Sequence, residues 1–209
     1  MKVIKETNQG LLLNHFQVRG RCYLAVTVMS LFSFAAPDEA LPEQEMWPLV
    51  QEELGKDAIL DAAMPKPQGE VLIHGYAFAP QGKAVAALPV EFRIGPIAKT
   101  IYVFGDRFWQ GRGNILSVIS DPAPFTVMPL TYERAFGGPG WERNPLGKGY
   151  AALRNERGEE VHPLPNLENP RHLIAAPADR PEPAGVGPLD YTWPQRVKKL
   201  GTYDRHWFE

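Results

Sequence analysis

The sequence predicts a mainly β protein: an antiparallel β-sandwich or partial barrel with long Pro/Gly-rich loops and two or three short helices. Three observations carry this. Of the 209 residues, 21 are Pro and 19 are Gly, and the two poorest helix formers at that density exclude a helical bundle. Short runs rich in β-branched and aromatic residues recur between turn signals, as in antiparallel β proteins. The prolines are also uneven, with 8 in residues 1–120 and 13 in residues 121–209. Regular strands therefore belong to the first part and irregular chain to the second. The apolar and charged fractions, 44% and 22%, are those of a globular protein. The length fits a single domain, 1–209, which buries about 70% of its unfolded surface without metal or disulfide.

Taken in order, Leu11 to Val18 and Tyr23 to Phe34 read as strands joined by Arg19-Gly20-Arg21, a link short enough for a hairpin. The 15 uncharged residues from Cys22 to Ala36 fall short of the ~20 that a membrane span requires. Behind a 21-residue leading region they also make a poor signal peptide. Their β-branched and aromatic content suits a strand buried on both faces. Glu43 to Leu54 is acidic at its start and ends at Gly55, a helix that Pro48 keeps broken or short. Val71 to Ala79 alternates, with Val71, Ile73, Gly75 and Ala77 on one face and Leu72, His74, Tyr76 and Phe78 on the other.

Pro80-Gln81-Gly82 is a turn, and Lys83 to Ile94 and Ile97 to Phe104 pair across Gly95-Pro96. Asn114 to Ile119 and Phe125 to Met128 add two short strands, and Thr131 to Phe136 one helical turn. From Gly138 to Gly187 the periodic runs thin out. Loops of that length in a compact domain are uncommon, but Leu153, Val161, Leu164, Leu167, Leu173 and Ile174 are too many anchors for free disorder. The segment reads as an ordered irregular layer over a sheet. Thr192-Trp193-Pro194-Gln195 opens a last helix at about 193–200, closed by Gly201.

Charge and cysteine content bound the partners. The net charge is −2, and the densest basic run is only Arg196, Lys198 and Lys199, which argues against nucleic acid. The single Cys22 forms no disulfide within the chain and points to a reducing cytoplasm. No membrane partner and no cofactor are expected. Gly140 to Lys148 has the wrong spacing for a phosphate loop, and Gly111-Arg112-Gly113 does not extend to a dinucleotide fingerprint. None of the four serines sits in GxSxG. The five histidines (His15, His74, His162, His172 and His206) lack ligand spacing, so no metal is expected.

Two constellations remain. Asp106, Arg107, Phe108 and Trp109 place an acid, a base and two aromatics at the end of a strand. They form either a ligand clamp or a turn in which Arg107 pairs with a carboxylate while Trp109 packs. Tyr132, Glu133, Arg134, Phe136, Gly137 and Gly138 precede Trp141 and then Asn144, Pro145 and Gly147. Here Glu133 is a candidate general acid/base, and the glycines permit close backbone approach. A hydrolase, or a carbohydrate-acting or carbohydrate-binding β-sandwich, would use Glu133 with His162 or Asp106 beside the loop aromatics.

Six motifs in order resemble domain-of-unknown-function family 2169. They are Lys66 to Pro80 (KPQGEVLIHGYAFAP), Val103 to Trp109 (VFGDRFW), Pro129 to Gly138 (PLTYERAFGG), Asn144 to Tyr150 (NPLGKGY), Leu164 to Glu168 (LPNLE), and Trp193 with Arg196 and Gly201 to Asp204. Glu70 stands where the family pattern leads one to expect Asp. The resemblance implies a role in bacterial type VI secretion, as an adaptor or chaperone that loads a toxic effector onto a VgrG-type spike protein. It also implies a further acidic, aromatic segment beyond Gly201-Thr-Tyr-Asp204, whereas this chain ends at Glu209. It carries over no catalytic residue. The motif positions are expected to define the fold or an interface, with Trp47, Trp109 or Trp141 as aromatic anchors.

Overall fold

The computed structural model describes residues 9–33, 35–54, 73–112 and 115–186. The helix expected at 193–200 and the start of the Lys66 motif lie outside them. The chain divides into two compact units, one of Met1–Glu70 with Tyr191–Glu209 and the other of Val71–Asp190. The fold is mainly β, with one α-helix among the described residues. Its sheets are open, and none of those described closes into a barrel.

In the first unit, β1 (Gly10–Val18) and β2 (Arg21–Met29) pair antiparallel from Gly10↔Met29 to Val18↔Arg21. The two turn residues, Arg19 and Gly20, have φ of 48° and 73°. Two positive values mark the type I′ turn whose twist matches that of the strands it joins. A second, smaller hairpin pairs β3 (Phe32–Ser33) with β4 (Ala36–Ala40). This corrects the expectation of one strand running to Phe34 and buried on both faces. β2 ends at Met29, and Val26 and Val28 are exposed, as is Leu13 opposite Val26. Among the described residues this two-stranded ribbon has no third strand to extend its cover. Cys22 is likewise exposed. Helix α1 spans Glu43–Leu54 unbroken, with Glu43 and Glu45 in its first turn and Pro48 inside it. The two carboxylates suit the positive end of the helix dipole, and Met46 is buried, 1% exposed.

The second unit is built on a three-stranded sheet. β6 (Ala87–Ile94) and β7 (Ile97–Phe104) form a hairpin across Gly95-Pro96, and β15 (Leu167–Glu168) pairs with the other edge of β7. Pro89 lies in β6, an edge strand of this sheet, where its missing N–H is tolerated. Along β7, Ile101 and Val103 are fully buried while Thr100 and Tyr102 are exposed, the period-2 signature of a half-buried strand. β5 (Tyr76–Phe78) pairs with β10 (Val127–Pro129), burying Ala77 and Met128 from directly opposite positions. These residues join Ile101, Val103, Leu130, Ala135, Leu167 and Ala184 in the main core.

β8 (Trp109–Arg112) pairs with β9 (Ile115–Ile119) across a bulge. The remaining strands are two residues each: β11 (Phe136–Gly137) parallel to β12 (Lys148–Gly149), and β13 (Leu153–Arg154) antiparallel to β14 (Glu160–Val161). The one helical turn expected near residue 132 is a 3₁₀ turn, Tyr132–Arg134. In the irregular segment, Leu164, Leu167 and Ile174 are buried, but Leu153 and Leu173 are exposed. The anchoring thus rests on the stretch from Leu164 to Ile174, with Ala184 further on. Leu164 and Ile174 join Phe136 in a second core, against which Trp109, Ile119 and Trp141 pack.

Candidate functional site

Four of the six sequence motifs, Val103 to Trp109, Pro129 to Gly138, Asn144 to Tyr150 and Leu164 to Glu168, converge within the second unit, where strand ends meet irregular loops. β7 delivers Asp106 and Arg107 just past its last residue. The guanidinium of Arg107 is buried, donates to Glu168 Oε1 and to the carbonyl of Pro165 at 3.0 Å, and lies 3.8 Å from the centre of the Phe104 ring. Glu168 uses its other oxygen to accept the backbone N–H of Ile174 at 2.8 Å. A charge removed from water needs such partners, and of the guanidinium nitrogens Nε is buried without one. Of the two readings open for Arg107, the structure has it paired with a carboxylate. Trp109 packs against the second core.

Asp106 forms a second node. Its Oδ1 accepts from Lys148 Nζ at 3.0 Å and from Asn166 Nδ2 at 3.1 Å, with Arg134 NH1 at 3.8 Å. Burial pushes this carboxyl upward, but the hydrogen bonds from Asn166 and Lys148 and the charges of Lys148 and Arg134 outweigh it. The net shift is below the ordinary 3.8. Lys148 is itself lowered from 10.5, chiefly by burial, which Asp106 only partly offsets. Asn166 also donates to the Phe104 carbonyl at 3.0 Å, and Arg134 NH1 reaches its Oδ1 at 3.4 Å. One carboxylate and one amide thus tie together four stretches of chain, at 104–106, 134, 148 and 166.

Asn144 forms a third node. It is fully buried, and its Nδ2 donates to the carbonyls of Tyr132 at 2.8 Å and Phe136 at 3.0 Å. Its own carbonyl accepts from the Gly138 N–H. This knot requires glycines. A Cβ on Gly147 would sit 2.6 Å from the Ala135 carbonyl oxygen and 2.8 Å from the Gly137 Cα, and closer still to the Asn144 amide. Gly137 has φ of 157°, and a Cβ there would meet the Asn144 Cβ at 2.7 Å. The Asn-Pro-Leu-Gly and Phe-Gly-Gly motifs are therefore two halves of one contact, with Pro145 exposed on the outside.

The remaining candidates separate. Trp141 packs edge-on to Phe136 at 5.7 Å and lies 4.9 Å from Tyr150. Arg143 approaches its face at 5.9 Å and pairs with Glu182. Tyr132 is half-buried, and burial raises its hydroxyl above the ordinary 10.0. Glu133 is exposed, and no hydrogen bond or ion pair joins it to Asp106 or His162. His162 pairs instead with Glu160 at 3.1 Å. Those two residues line an open cavity of about 390 Å³ between 108–111 and 160–162.

The expected anchors Trp47, Trp109 and Trp141 are all half-buried. Trp47 donates to Glu43 within its own helix at 3.2 Å. More exposed than these anchors are Tyr76 and Phe78, at 49% and 67%, beside Val127 on the outer face of the β5·β10 sheet. Their place in a strand that alternates was readable; their exposure was not. Lys148, Asn166 and Glu168 were legible as motif members but not as partners of Asp106 and Arg107. Among the described residues, no group of three or more His, Cys, Asp or Glu is placed to hold a metal ion. Nor is any helix among them long and apolar enough to cross a membrane.

The chain matches, over residues 19–209, the family model described as an uncharacterized protein conserved in bacteria (DUF2169). The chain belongs to that family. Neither the curated proteins nor the solved structures yield a match to it.

Proposed function

We propose that the chain is an adaptor or chaperone of type VI secretion. In this reading it binds a toxic effector in the bacterial cytoplasm and helps load it onto a VgrG-type spike protein, and the β-sandwich expected from the sequence is the frame that presents its loops. The observation that carries the proposal is how the motifs spend their polar groups. Asp106, Arg107, Arg134, Asn144, Lys148, Asn166 and Glu168 bond to one another or to motif backbone. Side chains used in this way fix a surface, which is the property a recognition protein needs before it meets a partner. The outer face with Tyr76, Phe78 and Val127 adds exposed apolar area of the kind found at interfaces. Glu133, on which a hydrolase reading depends, takes no part in the bonded network, and this favours recognition over catalysis.

The test is co-purification. The chain, co-expressed with the effector encoded beside it and with the spike protein, is expected to retain the effector through gel filtration and to bridge it to the spike. If neither partner is retained at micromolar concentration, the proposal fails.

A further inference from the structure

The cavity beside Trp109 lies where a strand ladder stops short. Segments 107–111 and 160–164 run antiparallel, with Leu164 N–H donating to the Arg107 carbonyl and Trp109 N–H to the His162 carbonyl, both at 2.8 Å. Phe108 and Pro163 face each other between those bonds. Continuing the register would pair Gln110 with Val161 and Gly111 with Glu160. No backbone bond joins them, and the 390 Å³ cavity occupies the gap. The outer edges of both segments are already taken, β8 by β9 and β14 by β13. Among the described residues, the edges facing the cavity are therefore the free ones. The extra residue of the β8·β9 bulge is Ser117, on β9, so β8 keeps its own alternation. Since Trp109 N–H points across the gap, Gly111, two residues on, presents its N–H and C=O to the same side.

We infer that this cleft receives an extended segment of the effector, which adds as a strand between Trp109–Arg112 and Glu160–Val161 and alternates apolar with basic side chains. The inference rests on the adaptor reading for the source of the segment. On the spacings of a β-sheet an extended residue takes up about 160 Å³, so the cavity has room for roughly two to three residues. Main-chain bonds to the free edges supply affinity, and the side chains supply selection. Alternation places Phe108, Gln110 and Val161 on one face and Trp109, Gly111, Glu160 and His162 on the other. Phe108 is 40% exposed and offers an apolar contact on the first face. On the second, the Glu160 carboxylate, 63% exposed, offers the negative charge. A Lys or Arg fits there in place of, or beside, the His162 ring.

The test uses the full chain and a defined probe, acetyl-Val-Lys-Val-Lys-Val-amide, followed through backbone amide shifts. The expected result is saturable shifts centred on Gln110, Gly111 and His162, weaker in high salt, and abolished when the two Lys amides of the peptide are N-methylated. Glu160→Lys, a surface change, is expected to cut affinity for this peptide about fivefold and to favour the Val-Glu-Val-Glu-Val counterpart instead. Three outcomes overturn the inference: no shifts at millimolar peptide, equal binding of the N-methylated peptide, or an unchanged charge preference in the variant. Shifts at the same residues that grow with protein concentration alone would assign the cleft to a second copy and overturn it too. Co-purification separates the two readings. If Glu160→Lys and the wild type retain the effector equally, the cleft is not its site although the adaptor role stands. If the wild type retains no effector, the adaptor role falls whatever the peptide does.

Discussion

Arg107 and Glu168 are 61 residues apart in the chain and meet as a buried ion pair, 7% and 1% exposed at their side chains. The pair joins the segment just past β7 to β15, and the Phe104 ring lies under the guanidinium. Removing one partner leaves the other as an uncompensated buried charge, so Arg107→Met is expected to lower unfolding free energy by about 3–5 kcal/mol. The double variant Arg107→Met with Glu168→Gln removes both charges and keeps an oxygen for the Ile174 N–H. It is expected to recover most of that loss. Urea unfolding of the single and double variants checks this, and additive losses would mean that the two charges are not coupled.

Asn144 gives a sharper contrast because its amide has a direction. Both of its donors are used on carbonyls, while its Oδ1 is buried without a partner. Asn144→Ala orphans the Phe136 carbonyl and leaves the Tyr132 carbonyl with only the Ala135 N–H, at about 1–3 kcal/mol for a buried group left unsatisfied. Asn144→Asp has nearly the same shape but sets a carboxylate against those two carbonyls, and is expected to be more destabilising than Ala at pH 7. On acidification the Asp variant should regain part of the deficit as the carboxyl takes up a proton and becomes a donor. Thermal melts of both variants at pH 7 and pH 4.5 test the order.

The glycines separate by space alone. At Gly147 a Cβ would collide with backbone at 2.6 and 2.8 Å, and backbone cannot swing away as the end of a side chain can. Gly147→Ala is therefore expected to cost about 1–3 kcal/mol, the usual penalty of overpacking, with loosening of the Asn144 knot. At Gly75 a Cβ meets nothing within 4 Å, and its backbone lies just before β5. Gly75→Ala is expected to stabilise by about 0.4–1 kcal/mol by restricting the unfolded chain. Equal effects in denaturant melts would refute the assignment of close approach to Gly147.

What could be read in advance was short-range. Arg19-Gly20 and Gly95-Pro96 announce their hairpins because a two-residue turn needs particular φ values, and residue type reports them. Tyr76, Ala77 and Phe78 announce their faces because alternation is written in consecutive residues. The segment from Cys22 was misread because an apolar run looks the same in a covered strand and in an exposed ribbon. Only the number of neighbouring strands decides, and no local pattern carries that. Arg107 was readable as seeking a carboxylate, but nothing near it in sequence identifies Glu168. The same holds for Asp106, whose partners Lys148 and Asn166 are 42 and 60 residues away. The ordered motifs listed the members of the site without stating who holds whom.

The Asp106 node fixes the sign of one pH response. Its carboxyl has a folded pKa below 3.8, so near and below that value the unfolded chain binds more protons than the folded one. The stability from its bonds to Lys148 and Asn166 is then present at neutral pH and declines as pH falls through the folded pKa. Lys148 works in the opposite charge sense but with the same slope. Its folded pKa lies below 10.5, so its burial cost is felt while it is protonated and is relieved as pH rises towards that value. Asp106→Asn removes the acid-side contribution and leaves Lys148 and Arg134 without their carboxylate. The variant is expected to be less stable than wild type at pH 7, with the gap narrowing below pH 4 as wild type loses the same charge on the way down through its folded pKa. Lys148→Met is expected to lift the Asp106 pKa and shift the acid loss of stability to higher pH. Denaturant midpoints from pH 2.5 to pH 7 for the three proteins check both statements. A gap between Asp106→Asn and wild type that stays constant across that range would show that the carboxylate's charge plays no part in holding these loops.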